Sequence, residues 1–500
     1  MEGIIFNGSL IKLNTVSKIL ISGGYVLSLD DELGELESGA VLIEDGRIAA
    51  VGERLETADA EILDATGCVV MPGFIDTHRH TWQTPFRGIC ADWTLGDYFR
   101  GMRLSISPNC EPDDIYAGNY VGALEALDAG VTTVVDFSHC NNSPEHADAA
   151  LAGLGDAGIR AVFAYGYFAA PVTEPAFEEH ADRLADARRL REGPLSGNGG
   201  LVTMGVALTE LGLIPFEQTV AEVESAREMG VPIVMHTGCV WGSSVTEGIP
   251  ELDHHGLLGP DQVHVHCNTL DERDLGRLAE NDCKVTTSPE TEIQMGMGHP
   301  VIGRAMALGM RPSLSCDIAS SNSGDLFSQM RIGLQFERCM RNDAANARNA
   351  MPEALKPTVR EALGWATVNG AHAIGRGKEL GSLTPGKLAD VIVIGGERLN
   401  LTPMADPVGC LVAQANPSNV RDVLVAGRFA KRDGALVDVD LTRAHDLAEN
   451  ASERVLAAAT ANGDPLLPLY DPAFDEVVDQ MARTNLAGAW SMETAEAKPA

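Results

Sequence analysis

The sequence predicts an α/β fold: a (β/α)8 barrel with a small β-sandwich domain formed from both chain ends. Two textures and one count support it. From about residue 74 to 374, short apolar runs alternate with longer helical stretches, the pattern of parallel strands joined by crossover helices. On either side, short alternating strands are punctuated by Gly and Asp turns. The apolar runs of the middle region number eight, which favours a closed barrel over an open sheet.

The N-terminal strands are KILISGGYVLSLD, SGAVLIEDGRIAAVG and AEILDATGCVV, within residues 18–70. The barrel opens with FIDTHRH and continues through VTTVVDF, AVFAYG, TMGVAL, PIVMH, VHVHC, KVTTS and PSLSCD. Between these runs lie helical stretches such as PDDIYAGNYVGALEALDAG, SPEHADAALAGLGDAG and PFEQTVAEVESAREMG. Gly130, Gly158, Gly230 and Gly309 each precede a strand, as helix C-caps do. Strand texture returns after about residue 380 in GSLTPGKLADVIVIGG and VRDVLVAGRFAKRDGALV. The expected division is therefore a composite β-sandwich from 1–73 and 375–440, a barrel over 74–374, and a helical tail over 441–500. Within the tail, LTRAHDLAENASERVLAAATA reads as an amphipathic helix.

Charge and composition bound the functions. With 71 acidic against 37 basic residues, the net charge is −34. Such a surface repels phosphate backbones and anionic membranes, so neither nucleic acid nor membrane is an expected partner. A small-molecule substrate feels the local pocket instead. The ten cysteines are scattered singly with no CxxC, which points to reduced thiols in the cytoplasm. The N-terminal segment lacks the organisation of a secretory signal, and no run approaches the ~20 apolar residues of a membrane span.

Chemistry-bearing residues gather at strand ends. His78 and His80 close FIDTHRH, and residues two apart in a strand share a side. His236 ends PIVMH. His266 lies near the end of VHVHC, with His264 two residues before it on the same side. Asp317 ends PSLSCD. Each alone is ambiguous. Together they place imidazoles and a carboxylate at the C-terminal ends of four strands, the face where barrel enzymes work. Histidine nitrogens with one carboxylate, leaving room for water, suit a catalytic zinc-like ion.

These residues sit in PGFIDTHRHTWQ, FRGICADWTLGDY, LDAGVTTVVDFS, MHTG, VHVHCNTLDERDL, SPETEIQMGMGHPV, SLSCD and SLTPGKLADVIVI. On them the chain resembles the amidohydrolase superfamily, in the branch of cytosine deaminase, guanine deaminase and the s-triazine hydrolases. The resemblance implies metal ligation by His78, His80, His236 and Asp317. It implies catalytic roles for Asp317, as acceptor of the attacking water's proton, and for His266, as hydrogen-bond partner of the tetrahedral intermediate. No lysine stands at a strand end near His236 to bridge two ions. The expected cofactor is thus one divalent ion, zinc first and iron second, since this ligand set suits both. Gln83 matches a substrate-contacting glutamine, Arg87 and Gly88 the RG that follows it, and the relatives' habit implies a homo-oligomer.

The sequence departs from that pattern at one place. Relatives carry a glutamate three residues after the strand-five histidine, where it handles protons; here Cys239 stands there. Cysteine is a weak donor with an ordinary pKa near 8.5. Glu290 and Glu292, after the seventh run, are candidates for the missing acid and for substrate binding. His139 and His299, beyond the second and seventh runs, are further pocket candidates. Trp82 is a candidate to stack on a planar substrate, while Trp93 reads as loop packing. Cys267 and Cys316 read as buried packing residues. The expected activity is hydrolysis of a non-peptide C–N bond in a small cyclic or heteroaromatic compound, as an aminohydrolase. Hydrolysis of a cyclic amide, dechlorination and a catalytically silent scaffold are the alternatives.

Overall fold

The computed structural model describes residues 5–6, 9–10, 18–239, 248–396, 398–461 and 472–486. Eight parallel strands run in chain order: Phe74–Arg79, Val131–Ser138, Arg160–Gly166, Val202–Ala207, Ile233–Thr237, Gln262–His266, Lys284–Thr287 and Ser313–Leu314. They are numbered here as barrel strands one to eight. A parallel bridge between Arg79 and Asp317 joins the first strand to the end of the eighth and closes the ring. Ile75, Val135, Phe137, Val162, Ala164, Val234 and Val265 form one buried apolar cluster, with Ala371 of the helix Val368–Ala373 and Ile374 just after it packed into it. Above it, hydroxyls take over: Thr77 Oγ1 lies 2.6 Å from Thr286 Oγ1 and 3.0 Å from Ser313 Oγ.

The helix ends are set by residues that suit them: prolines open Pro112–Asp128 and Pro144–Ala157, and left-handed glycines close Pro144–Ala157 and Phe216–Met229. Pro112–Asp128, Pro144–Ala157 and Phe216–Met229 fill the stretches read as helical. Gly130, Gly158, Gly230 and Gly309 all adopt positive φ, between 64° and 86°, where a side chain would be strained. The loop after strand one is longer and less regular. It winds through a tight turn at Thr81–Phe86, a short helix Leu95–Tyr98 and a wide π-type turn at Phe99–Ile106.

Both flanks of the barrel meet in one nine-stranded mixed sheet. The strand Cys68–Pro72 pairs antiparallel with Val391–Gly395 and parallel with Lys18–Leu27, so the two ends are stitched at the sheet centre. Its separate core includes Ile19, Ile21, Val41, Ile43, Val70, Val391, Val393 and Leu424. A buried ion pair ties this sheet to the barrel. Arg160, at the start of strand three, places Nε 2.7 Å and Nη2 2.9 Å from the two carboxylate oxygens of Asp390.

The tail contains the helix Leu441–Thr460, which packs on Pro112–Asp128, and a second helix, Pro472–Asn485. The tail expected over 441–500 lies partly outside the described residues, at 462–471 and 487–500. Among the described residues, no helix is long and apolar enough to cross a membrane.

Candidate active site and metal centre

Alternation alone would not have aimed the first histidine pair correctly. Ile75 and Thr77 face the barrel interior, so regular pleating sends His78 outward. The pairing with strand two slips between Asp76 and Arg79, where three steps on one strand match two on the other. This bulge turns His78 and His80 inward. Their rings stand 4.6 Å apart, edge to face. His236 joins them at 5.0 Å from His78, stacked on Phe137.

The other two members reach the cluster through strained backbone. His266 has φ 77° and Asp317 φ 62°, left-handed conformations that side-chain-bearing residues seldom adopt. Asp317 is held there by its own main chain: its N–H donates to His78 O at 3.0 Å, and its carbonyl accepts from His80 N at 2.8 Å. His264, expected beside His266, is turned away instead. The left-handed step at His266 breaks the alternation, and the His264 ring lies 2.9 Å from Thr237 Oγ1, outside the cluster.

The ring nitrogens converge on one carboxylate. His78 Nε2 lies 3.1 Å and His80 Nε2 3.4 Å from Asp317 Oδ1; His266 Nε2 is 3.9 Å from Oδ2. Ligand atoms of His78, His80 and Asp317 fall within 4.8 Å of one another, as do those of His78, His236 and His266. Two ligands about 2.0–2.1 Å from one tetrahedral ion would be roughly 3.3 Å apart. The donor set and its spacing therefore fit a divalent ion of the zinc type.

Burial holds most of these rings neutral, the form a metal requires. It pulls His78 down to about 4 and depresses His80 and His236. His266 goes the other way. Burial opposes its charge, but the hydrogen bond that it donates to Glu292 and the charges of Asp317 and Glu292 raise it above the ordinary histidine value. Burial also works against the Asp317 carboxylate. The His78 hydrogen bond and the charges of His266, His78 and His80 outweigh that and hold it far below the usual range.

The remaining candidates sort by what they touch. Glu292 does not face open space as a substrate acid would. It is fully buried behind His266, with Oε1 3.1 Å from His266 Nδ1 and 2.7 Å from Ser288 N, and Oε2 3.2 Å from Asn268 Nδ2. Glu290 is committed elsewhere too, accepting from Ser323 Oγ and Gln329 Nε2 at 2.8 and 2.9 Å. His299 is exposed, its ring 5.3 Å from Phe336 and its carbonyl accepting from Asn268 Nδ2 at 2.8 Å. Gln83 is buried between Tyr98 and Ser320, donating to the Tyr98 hydroxyl at 2.7 Å and accepting from Ser320 Oγ at 2.8 Å. Trp82 is buried and donates from Nε1 to His139 Nδ1 at 3.1 Å, so its indole is not an open stacking platform. His139 in turn stacks on His80 with centroids 4.1 Å apart. Arg87 pairs with Glu125, and Trp93 is buried in the main core. Cys239 has its thiol pushed up to about 12, mainly by burial, which leaves it a neutral group.

Two residues near the site lay outside the sequence reading. Glu210 follows strand four and reaches His236 Nδ1 at 3.0 Å, and Arg103, from the π-type turn, reaches Glu210 at 2.7 Å. The available signal for Glu210 was its place, three residues past the end of TMGVA, at the active face of the barrel.

Beneath the ligands, Asp136 is a buried carboxyl pushed up to about 7 by burial, despite donation from Thr81 N at 3.2 Å and the nearby Arg79. An acid raised above its unfolded value of about 3.9 holds its proton in the native state between roughly pH 4 and 7. Its contribution to stability therefore falls as pH rises through that window. Asp136→Asn should remove the slope, so the variant gains on the parent between pH 4.5 and pH 7.5 in urea unfolding. A difference that stays constant with pH would refute this assignment.

The model of the amidohydrolase family matches residues 69–430. The chain is 31% identical over 434 residues to the 5-methylthioadenosine/S-adenosylhomocysteine deaminase of Symbiobacterium thermophilum, covering 84% of this chain and 94% of that protein. It is 30% identical to the 5'-deoxyadenosine deaminase of Methanothermobacter thermautotrophicus, covering 87% and 98%. An adenosine deaminase from Xanthomonas campestris, solved with bound zinc, shares the fold with a TM-score of 0.76 at 23% identity, covering 88% of this chain and 98% of that one. The chain thus belongs to the amidohydrolase family, as a metal-dependent hydrolase of carbon–nitrogen bonds other than peptide bonds.

Proposed function

We propose that the chain is an aminohydrolase that replaces an exocyclic amine of a small heteroaromatic compound with oxygen and releases ammonia. Adenine-derived nucleosides are the first substrate class to test, given the names of its relatives. The observation that carries the reading is a pair of overlapping ligand groups that share His78: His78, His80 and Asp317 in one, His78, His236 and His266 in the other. His78, His80, His236 and Asp317 are the proposed ligands of one divalent ion, zinc by preference. The same reading takes 1–73 with 375–440 as the composite domain and 74–374 as the catalytic one.

A bound divalent ion supplies Lewis acidity and acidifies a water molecule. The chain's own residues do the rest. Asp317 accepts the proton of the attacking water and passes it to the departing amine, which leaves as ammonia. His266, its proton affinity raised by Glu292 and Asp317, donates to the oxygen of the tetrahedral intermediate. Because His139 Nδ1 accepts from Trp82, its proton sits on Nε2, a buried donor with no partner among the described residues. That donor suits an acceptor atom of a substrate.

Cys239 favours a second reading, hydrolysis of a cyclic amide, which needs no ring protonation by a carboxyl at that position. One assay separates the two: zinc-loaded enzyme, ammonia release across aminated purines, pyrimidines and their nucleosides, and ring opening across lactams. Ammonia from an aminated heterocycle is expected. Lactam opening with no ammonia from any amine would overturn the first reading in favour of the second.

A further inference from the structure

The strand-five histidine lacks its usual neighbouring glutamate, yet its ring is not left without a carboxylate. Glu210 Oε1 lies 3.0 Å from His236 Nδ1, and the same oxygen accepts from Arg103 Nη1 at 2.7 Å. The second oxygen, Oε2, is 3.4 Å from Arg103 Nη2. Arg103 is itself fixed, buried with its guanidinium 3.9 Å over the Phe168 ring and 5.2 Å from that of Phe99. The segment carrying Glu210 is pinned from outside as well. Asn485, at the end of the last helix, donates to Gly212 O at 2.8 Å, and Ala482 packs so closely on Gly212 that a Cβ there would lie 2.9 Å from it. Two other inward histidines also have their Nδ1 engaged, His80 with Phe137 O at 3.0 Å and His266 with Glu292 at 3.1 Å, whereas His78 Nδ1 has no partner among the described residues.

We propose that Glu210, clamped by Arg103, is the positioning residue for His236: it anchors Nδ1 so that Nε2 is presented to the ion. The physical reason is general. A ligating imidazole has one nitrogen for the metal, and an acceptor on the other fixes both tautomer and ring angle. Without Glu210, the His236 ring keeps its stacking on Phe137 but loses the contact that selects which nitrogen carries the proton. Arg103 contributes by holding the carboxylate in one rotamer. In this chain a carboxylate that follows strand four thus does the orienting.

The inference rests on the ligand set proposed above, and the test keeps the two apart. Zinc affinity is measured by chelator competition on the full chain, with melting of the metal-free protein as the control for folding. Glu210→Ala should weaken zinc binding by about 10–100-fold. Glu210→Gln, whose amide oxygen still accepts from Nδ1–H, should recover most of that loss. Should the buried Arg103 charge unfold these variants, Arg103→Met/Glu210→Gln is compared with Arg103→Met/Glu210→Met. The first should bind zinc at least about tenfold more tightly than the second. Equal affinities in that pair, or a folded Glu210→Ala protein within twofold of the parent, overturn the role of Glu210. A His236→Ala protein that binds zinc like the parent overturns the ligand set itself, and the positioning role with it.

Discussion

Replacing Asp317 with Asn should lower turnover by about 10³-fold or more while the protein stays folded. The carboxylate has two duties in the proposed chemistry, as metal ligand and as acceptor of the water's proton, and a positioned acid–base group alone is worth about 10²–10⁴-fold. Asn is the informative substitution because of the backbone. Asp317 sits at φ 62°, a conformation Asn tolerates well, and its main-chain bonds to His78 and His80 do not involve the side chain. The fold is therefore preserved while the charge is removed. Steady-state ammonia release, read beside zinc content and the thermal melt, checks the expectation. A folded variant retaining a tenth of parental turnover would remove Asp317 from the mechanism.

The largest expected loss of stability lies far from the chemistry. Asp390→Ala strips the carboxylate from Arg160 and from the Ala426 N–H that it accepts at 2.8 Å. Both side chains of the pair are almost fully buried, with relative exposures of 3% and 4%. Removing one partner of a buried pair leaves an uncompensated charge and costs about 3–5 kcal/mol. Asp390→Asn keeps an oxygen for Ala426 N and should cost less than Ala. Urea unfolding followed by tryptophan fluorescence and circular dichroism reads the effect. Because the pair joins barrel to sheet, the two probes should separate in the Ala variant. An unfolding midpoint equal to the parent's would show that the pair contributes nothing.

The eight barrel strands were legible because each is a short apolar run ended by a helix signal, and Gly130, Gly158 and Gly230 mark the returns. The flanking sheet was legible from alternation at both ends. At the site, His78, His80, His236, His266 and Asp317 stood out because each falls near the end of such a run. What the sequence did not carry was how they are aimed. The bulge after Asp76 and the left-handed steps at His266 and Asp317 are set by closure against neighbouring strands, not by local composition. Glu292 drew attention as a carboxylate in the right loop, but its direction depends on Ser288 N and His266, contacts that the i, i+4 turn of a short helix creates. Arg103 comes from a wide turn with no periodic signature, and its partner Glu210 lies 107 positions away.

The stitched sheet has a consequence for how the chain is made. Pro72 faces Val391 across its centre, so roughly 320 residues separate the two halves of one core. At about 5–20 residues per second, a ribosome needs on the order of 15–60 s to deliver the second half after the first. Through that interval the strand Cys68–Pro72 presents an unpaired edge, and Ile19, Ile21, Val41 and Ile43 lack their apolar partners Val391, Val393 and Leu424, while the barrel assembles behind them. The first strands to emerge are thus among the last to be completed. The period of greatest exposure to aggregation, and of greatest use for a chaperone, falls between the emergence of Cys68–Pro72 and the arrival of Val391–Gly395.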